Sequence, residues 1–258
     1  MTATPLVVVH ADPAMLARSA AARFVTAVVD AQAARGSASV VLTGGGIGTA
    51  VLRELASSSV RDAIDWRALD VWWGDERWLP AGDPERNETQ AREALLDSVP
   101  VDPPRVHAMG AMGGEHSDLD TAAAAYAESL AAAARPEDHG PVPSFDLLLL
   151  GVGPEGHVAS LFPESPAMYD ERTVVGVRNS PKPPPQRISL TLPAIQAARE
   201  VWIVAAGEEK ADAVRASLQG AGPIAVPAAG ARGRIATRYL LDRAAGSKLP
   251  KGLARPTA

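Results

Sequence analysis

Residues 146–163 read DLLLLGVGPEGHVASLFP, and this stretch determines how the rest of the chain is interpreted. The apolar run from Asp146 to Leu150 predicts a strand buried on both faces, as in a parallel sheet. Three glycines and a proline then interrupt the chain, so the strand leads into a tight loop that carries Glu155 and His157. Ligands of open α/β sheets bind at the carboxyl ends of the strands, and histidine is a suitable general base near neutral pH. We therefore predict that His157 is catalytic.

Strands and helices alternate along the remaining sequence, which predicts an α/β fold with a doubly wound, mostly parallel sheet and helices on both faces. The other predicted strands cover residues 6–10, 39–42, 69–73, 173–177, 188–190 and 200–206. The predicted helices cover residues 14–35, 47–57, 87–96, 118–134 and 208–218. After residue 218 the pattern weakens to an amphipathic stretch around Tyr239 to Ala245. We expect one domain over residues 1–258, with room for a small subdomain inserted in its middle.

The composition excludes several classes of protein and of site. Of the 258 residues, 47% are hydrophobic and 21% are charged, and the net charge of −5 comes without a long basic run, so no nucleic-acid partner is indicated. The absence of cysteine excludes disulfides, thiolate nucleophiles and cysteine-based metal sites. No run reaches the roughly 18 apolar residues of a membrane span, and residues 1–10 lack the features of a secretory signal. We therefore expect no membrane partner and a cytoplasmic location.

Histidine spacing gives no indication of a metal centre. Apart from His157, the chain has His10, His107, His116 and His139, and none of them forms a pair with the spacing of metal ligands. We expect no metal, no other cofactor and no obligatory protein partner.

Two further predicted strands end in segments that are rich in glycine or charge. Residues 43–46, Thr-Gly-Gly-Gly, precede a helix, where backbone N–H groups favour an anion such as phosphate. They lack the complete pattern of a Walker A or a dinucleotide fingerprint, and a plain tight turn explains them equally well. Residues 75–77, Asp-Glu-Arg, form a predicted loop after strand 69–73, with a solvated strand end as the alternative. Asn87 stands at a helix start, where its spacing to Gln90 favours an N-cap role.

Positive charge is concentrated in one proline-rich segment, residues 178–187, which read RNSPKPPPQR. Its three cations are Arg178, Lys182 and Arg187, and its four prolines predict a stiff loop. A solvated connection is the ordinary interpretation of such a loop, and a preordered clamp on an anionic substrate is the functional one. Lys210, early in a predicted helix, is a further candidate phosphate ligand, although a solvent-facing lysine there would be unremarkable.

Together these segments resemble the 6-phosphogluconolactonase family. Residues 150–163 resemble its signature, residues 74–80 (GDERWLP) its Asp-Glu-Arg motif, and residues 43–45 its phosphate loop. Further matches are Asn87, residues 180–185 with 187–191, and residues 207–211 around Lys210, so that the resemblance extends from about residue 5 to about residue 248. The sequence departs from the family pattern at Glu155, where many members have Asp, and at Arg86, where a small residue is frequent.

The resemblance implies hydrolysis of 6-phospho-D-glucono-1,5-lactone to 6-phosphogluconate, the second step of the pentose phosphate pathway, on a fold shared with glucosamine-6-phosphate deaminases. His157 is expected to activate water, and Arg77 or backbone N–H groups near residues 156–158 to stabilise the oxyanion. Glu155 or Asp75 is expected to orient the base or the sugar hydroxyls. The complete set of expected site residues is His157, Arg77, Glu155 and Asp75 for catalysis, and Thr43, Gly44, Gly45, Asn87, Arg178, Lys182, Arg187 and Lys210 for binding of the substrate and its phosphate.

Two alternatives stay open on the sequence alone. An amino-sugar-phosphate deaminase or isomerase of the same fold takes a proton from an open-chain sugar, and residues 75–77 together with the basic loop favour the lactonase. A non-catalytic sugar-phosphate sensor keeps the phosphate loop and loses the base. His157, Arg77 and a carboxylate at position 155 argue against this second alternative.

Overall fold

The computed structural model describes residues 4–138, 140–250, 252–253 and 255–256, so that His139 lies outside the described residues. In this part of the chain, the strands in chain order are β1 (Leu6–His10), β2 (Ala38–Leu42), β3 (Leu69–Trp73), β4 (Asp75–Arg77), β5 (Leu147–Gly151), β6 (Val174–Val177), β7 (Arg187–Leu190), β8 (Glu200–Ala205), β9 (Ala236–Asp242) and β10 (Arg255–Pro256). The helices are α1 (Pro13–Arg35), α2 (Gly45–Ser57), α3 (Asn87–Ala94), α4 (Leu119–Ala133), α5 (Leu192–Gln196), α6 (Ala211–Leu218) and α7 (Pro227–Gly230). Short 3₁₀ turns join several of these elements.

Seven strands form one parallel sheet in the order β10-β1-β9-β8-β5-β2-β3, which confirms the predicted α/β class. Its strands are nearly continuous apolar runs because both faces of a parallel sheet are covered. The four leucines of β5 are at most 3% exposed. The strands β2 and β5 are neighbours. The next strand of this sheet after β2 is β3, on the far side of β2 from β5, and the next after β5 is β8, on the far side of β5 from β2, so the strand order reverses between them. Such a switch point opens a crevice at the carboxyl ends of the two strands, where ligands bind in folds of this kind.

The helix that follows β2 begins without a side-chain cap. The residue before α2 is Gly44, so the first N–H groups of the helix have no side-chain acceptor. By contrast, α1 begins with the Asp12 carboxylate accepting the N–H of Met15 at 2.8 Å. The amino end of α2 is therefore available to an anionic ligand.

The Asp-Glu-Arg segment is a strand, and its prediction as a loop was wrong. Residues 75–77 form β4, which pairs antiparallel with β7, and β7 pairs antiparallel with β6. Gly74 joins this small sheet to the large one, since its N–H donates to the carbonyl of Leu42 at 3.1 Å and its carbonyl accepts the N–H of Leu190 at 2.9 Å. Three consecutive charged residues are typical of a solvated loop, but here partners distant in sequence satisfy the two carboxylates.

Two other local expectations are corrected. The stretch around Tyr239 to Ala245 begins within β9, a buried strand between β1 and β8. Asn87 is the first residue of α3 and not its N-cap, a position that Arg86 occupies without a side-chain hydrogen bond. Distant Glu76 acts as the cap instead, because its carboxylate accepts the N–H groups of Asn87 at 2.7 Å and Glu88 at 2.9 Å.

Candidate active site

A cavity of about 690 Å³ lies at the carboxyl edge of the large sheet, where β2, β5 and β8 end. The amino ends of α1 and α2 and the loop that begins at residue 182 complete its wall. The predicted site residues that line it are Thr43, Gly44, Gly45, Asp75, Arg77, Asn87, His157, Lys182, Arg187 and Lys210. Segments far apart in the sequence therefore converge on one cavity.

His157 is held by the glycine turn that precedes it. The N–H of Gly153 donates to the carbonyl of His157 at 3.0 Å, and the N–H of Gly156 donates to the carbonyl of Gly153 at 2.9 Å. Gly156 has a φ of +91°, which strongly favours glycine. A Cβ on Gly153 would lie 2.0 Å from Nδ1 of His157, so only glycine allows the ring its position.

The surroundings of His157 favour its neutral form. The ring packs against Phe162 with centroids 4.6 Å apart, and its side chain is 16% exposed. Burial, assisted by the charge of Lys182, lowers the pKa of the imidazole below its usual value, against the opposing effect of Glu155 and Asp75. A neutral imidazole at neutral pH is able to accept a proton, as a general base must.

Glu155 links the histidine to the basic loop. One of its carboxylate oxygens lies 3.1 Å from Nδ1 of His157, close enough to interact with this side of the ring. The other oxygen accepts a hydrogen bond from Nζ of Lys182 at 3.1 Å. Burial opposes ionisation of Glu155, but its own backbone N–H, His157 and Lys182 outweigh burial and lower the pKa of the carboxyl. Nε2 of His157 has no hydrogen-bond partner among the described residues and remains for a substrate or water.

Asp75 is the centre of a buried hydrogen-bond network. Its carboxylate accepts the hydroxyl proton of Ser160 at 2.7 Å and the Nδ2 amide of Asn87 at 3.3 Å, while its backbone carbonyl accepts the same amide at 2.7 Å. The Oδ1 of Asn87 is buried at the cavity wall and has no donor. Gly44 packs against this amide so closely that a Cβ would lie 1.8 Å from Oδ1. Asn87 thus lines the cavity and carries a buried acceptor that is unpaired among the described residues.

The cavity arginines Arg187 and Arg77 differ in the hydrogen bonds that their guanidinium groups make. The guanidinium of Arg187 donates to the carbonyls of Lys182 at 3.2 Å, Pro183 at 2.8 Å and Pro184 at 3.2 Å, so it shapes the loop from inside. Burial lowers the pKa of Arg187, with Asp75 acting against it. One guanidinium nitrogen of Arg77 donates to the carbonyl of Glu85, and its Nε is buried without an acceptor.

The end of the cavity away from His157 is formed by backbone groups and one lysine. Gly45 has a φ of +82°, and nothing lies within 4 Å of the position of a Cβ, so a ligand can approach its backbone. The hydroxyl of Thr43 accepts the N–H of Gly151 at 3.2 Å and joins the ends of β2 and β5. Lys210 faces this end with its side chain 22% exposed, and its nearest carboxylate is that of Glu209, 3.7 Å away.

Two predicted residues lie elsewhere, and some site residues were not predicted. Glu155 stands behind His157 rather than in the cavity wall, and Arg178 forms a bidentate pair with Asp120 on the surface, outside the cavity. Ser160 and Glu209 were not among the predicted site residues. Ser160 stands three residues after His157 in the opening motif, which was the available signal. Glu209 had no signal beyond its position next to Lys210.

No group of three or more histidine, aspartate or glutamate side chains in the described part of the chain is arranged to hold a metal ion. Among these same residues, no helix has the length and hydropathy that a membrane crossing requires.

Comparison with known proteins relates the chain to one family. A family model described as glucosamine-6-phosphate isomerases/6-phosphogluconolactonase matches residues 11–239. A 6-phosphogluconolactonase of Streptomyces coelicolor is 65% identical over the full length of both chains. One of Mycobacterium tuberculosis is 54% identical, covering 93% of this chain and 96% of the relative. The structure of 6-phosphogluconolactonase from Trypanosoma cruzi superposes with a TM-score of 0.82 at 28% identity, covering 96% and 98% of the two chains.

Proposed function

This chain belongs to the family of glucosamine-6-phosphate isomerases and 6-phosphogluconolactonases, and we infer that it is one of the hydrolases of that family. It opens 6-phospho-D-glucono-1,5-lactone to 6-phospho-D-gluconate, the second step of the oxidative pentose phosphate pathway. The observation that carries this function is the 65% identity, over the whole chain, to a 6-phosphogluconolactonase. The geometry around His157 supplies the chemistry that the reaction needs.

The reaction needs a base and later an acid at one position. Nε2 of His157 takes a proton from water as the water oxygen bonds to C1 of the lactone. The tetrahedral intermediate then collapses, the bond from C1 to the ring oxygen breaks, and the imidazolium returns its proton to that oxygen. The product carboxylic acid releases its own proton to solvent. A δ-lactone is an activated ester, so this sequence requires no covalent enzyme intermediate.

Charge that develops on the carbonyl oxygen needs a donor in the same cavity. The guanidinium of Arg77 lines the cavity and is the side chain best suited to this role. The N–H of Gly156 already donates to Gly153, which leaves the backbone N–H groups of residues 157 and 158 as the other candidates. Glu155 keeps the imidazole oriented through its contact with Nδ1.

The phosphate binds at the end of the cavity formed by Gly44, Gly45 and Lys210. The free N–H groups and the dipole at the start of α2 favour an anion there, and Lys210 supplies a full charge. Lys182 and Arg187 add positive charge on the facing loop. Binding of this remote group orients the lactone at His157, where the reaction takes place.

Asn87 and Asp75 bind the sugar hydroxyls between these two ends. The unpaired Oδ1 of Asn87 accepts a hydroxyl proton, and Asp75 fixes the amide that carries it. This division of roles leaves Arg178 out, because its guanidinium is engaged by Asp120 outside the cavity. We also propose a cytoplasmic location, which the absence of cysteine fits.

A coupled assay tests this function against the isomerase branch of the family. Glucose-6-phosphate dehydrogenase generates the lactone, excess 6-phosphogluconate dehydrogenase reports its hydrolysis as NADPH, and heat-inactivated protein serves as the control. We expect the native protein to raise NADPH production above spontaneous hydrolysis and to release no ammonia from glucosamine 6-phosphate. Ammonia release without acceleration would assign the chain to the deaminases, and neither activity would favour a sugar-phosphate sensor.

A further inference from the structure

A second cavity, of about 660 Å³, lies at the amino ends of β2, β3 and β5, on the edge of the sheet opposite the active site. We call it the amino-edge cavity. Among the residues that the structure describes, five arginines line it, namely Arg35, Arg105, Arg135, Arg199 and Arg234. None of them belongs to the active site described above, and the proposed reaction uses no group in this cavity.

The carboxylates of the amino-edge cavity are largely occupied by the protein itself. Three of the four, Asp70, Asp138 and Asp146, have partners for both oxygens, and the fourth, Glu137, is exposed. Asp70 contacts Arg105 at 2.6 Å and His107 at 3.1 Å. Asp138 accepts the N–H groups of Arg135 at 2.7 Å and Ser144 at 3.0 Å. Asp146 contacts Arg35 at 2.6 Å and accepts the N–H of Ser39 at 2.9 Å. Few acceptors therefore remain for the other donors in the wall.

Of those other donors, Arg135 and Arg234 are exposed and Arg199 is half-buried. The guanidinium of Arg135 reaches only the hydroxyl of Ser37, at 3.5 Å, and that of Arg234 only the hydroxyl of Ser144, at 3.0 Å. Among the described residues neither guanidinium has an ion-pair partner. Arg199 approaches Asp146 only to 3.9 Å, at an oxygen that Arg35 already holds.

A buried donor in the same wall is left without an acceptor. Trp72 lies in β3 and is 1% exposed, and its indole N–H has no hydrogen-bond partner within the described part of the chain. Its ring is fixed by parallel stacking on His107, with centroids 3.7 Å apart, so it cannot turn to find one. A buried donor without an acceptor is unfavourable, and an acceptor bound in the cavity relieves this penalty.

We propose that the amino-edge cavity binds a small multivalent oxyanion that carries carboxylate or phosphate groups. Arg135, Arg199 and Arg234 contact its charged oxygens, and the N–H of Trp72 donates to a further acceptor of the ligand. Planar guanidinium groups match carboxylate and phosphate oxygens in pairs, which suits a ligand with more than one anionic group. The size of the cavity, close to that of the active site, accommodates a molecule of metabolite size.

Isothermal titration calorimetry tests the proposal directly, with citrate as the carboxylate probe and pyrophosphate as the phosphate probe. Each is titrated into the full-length protein saturated with 6-phosphogluconate, so that the active site is occupied. We expect at least one probe to bind with a dissociation constant below about 1 mM, and the tighter one identifies the preferred group. Absence of binding by both probes would overturn the proposal.

Variants locate the bound anion independently of the active site. The double substitution Arg135→Ala with Arg234→Ala is expected to weaken binding about tenfold or more, and Trp72→Phe, which keeps the stacked ring but removes the N–H, several-fold. Arg215→Ala removes the same charge from an arginine outside the cavity and is expected to leave binding unchanged. Binding that survives the double substitution unchanged contradicts the proposed site. Lactonase activity is measured separately, so a failure of the proposed function is distinguished from a failure here.

Discussion

At His157, burial and three charged neighbours set the protonation state of the ring. Burial and Lys182 lower the pKa of the imidazole, whereas Glu155 and Asp75 raise it, and burial prevails. The neighbouring carboxylate therefore orients the ring without making it a permanent cation. This balance keeps the base neutral at neutral pH while leaving it able to hold a proton during the reaction.

Opposite shifts of the pH profile are expected when the two charged neighbours are removed. Activity requires neutral His157, so kcat/KM rises with pH through the lowered pKa of this residue and then levels off. Lys182→Met removes a cation that lowers this pKa and is expected to move the acidic limb to higher pH. Glu155→Gln removes an anion that raises it and is expected to move the limb to lower pH.

The profiles are measured between about pH 5 and 7, where histidine titrates. Lys210→Met is the matched control, because this lysine lies at the phosphate end and is expected to change KM without moving the limb. Shifts of Lys182→Met and Glu155→Gln in the same direction would be inconsistent with His157 as the titrating base.

Gly153 sets the position of the imidazole by having no side chain. In Gly153→Ala the new Cβ would lie 2.0 Å from Nδ1 and 2.2 Å from Cε1 of His157, so the ring must move. A displacement of about 1 Å at a reacting group is expected to lower kcat about 100-fold. Gly222→Ala is the control, because nothing lies within 4 Å of its Cβ position. Equal kcat in both variants would mean that the ring position does not limit catalysis.

Among the elements, α3 and β4 show how a buried carboxylate replaces a local helix cap. Glu76 accepts N–H groups from Arg77, Asn87 and Glu88, and Arg86 lies 3.7 Å from the same carboxylate. Burial raises the pKa of Glu76, against the effect of Arg86 and of these N–H groups. The contact fixes α3 to β4 and with it the amide of Asn87 beside Asp75.

Glu76→Gln is expected to destabilise the fold by about 1–3 kcal/mol. The amide nitrogen of glutamine would replace one carboxylate oxygen, so one buried N–H or the Arg86 guanidinium loses its acceptor. Urea unfolding measures the change as a lower midpoint. Glu93→Gln, on the exposed face of α3, is the matched control and should stay within about 0.5 kcal/mol of the native protein. An equal midpoint for the two variants would exclude the capping role of Glu76.

The sequence predicts an element when its own residues report its burial, and misses it when that burial depends on residues elsewhere in the chain. Strands β2, β3, β5 and β8 were predicted because an apolar run reports burial on both faces without reference to any other segment. The charged strand β4 was not predicted, because its burial depends on Ser160, on the start of α3 and on pairing with β7. For the same reason Asn87 was predicted as a cap from its spacing to Gln90, whereas a carboxylate eleven residues earlier provides the cap.

Across the whole molecule, the site exists only because the topology joins distant segments. The hydroxyl of Thr43 holds the end of β5, 108 residues later in the sequence, and Ser160 reaches back 85 residues to Asp75. The sequence predicted that most of these residues share one edge of the sheet. It did not predict which cations of the basic loop enter the cavity, because Arg178 and Lys182 differ only in the partners that the tertiary fold gives them.

A ligand that bridges both sheets is expected to stabilise the entire fold. At 100 times its dissociation constant, 6-phosphogluconate should add about 2.7 kcal/mol to the free energy of unfolding, provided that it binds only the folded chain. Thermal unfolding with and without the ligand measures this gain as a higher Tm. Gluconate, which lacks the phosphate, is expected to give little shift at the same concentration. A similar shift with gluconate would contradict the phosphate end assigned to Gly44, Gly45 and Lys210.

The lactonase rate of His157→Ala gives the most direct test of the proposed chemistry. In the coupled NADPH assay we expect kcat to fall at least about 100-fold, because water loses its general base, while the circular dichroism of the variant stays native. His116→Ala, at a histidine outside the active-site cavity, is expected to retain the native rate. An unchanged kcat in His157→Ala would contradict the assignment of the base and require another group in the cavity to activate water.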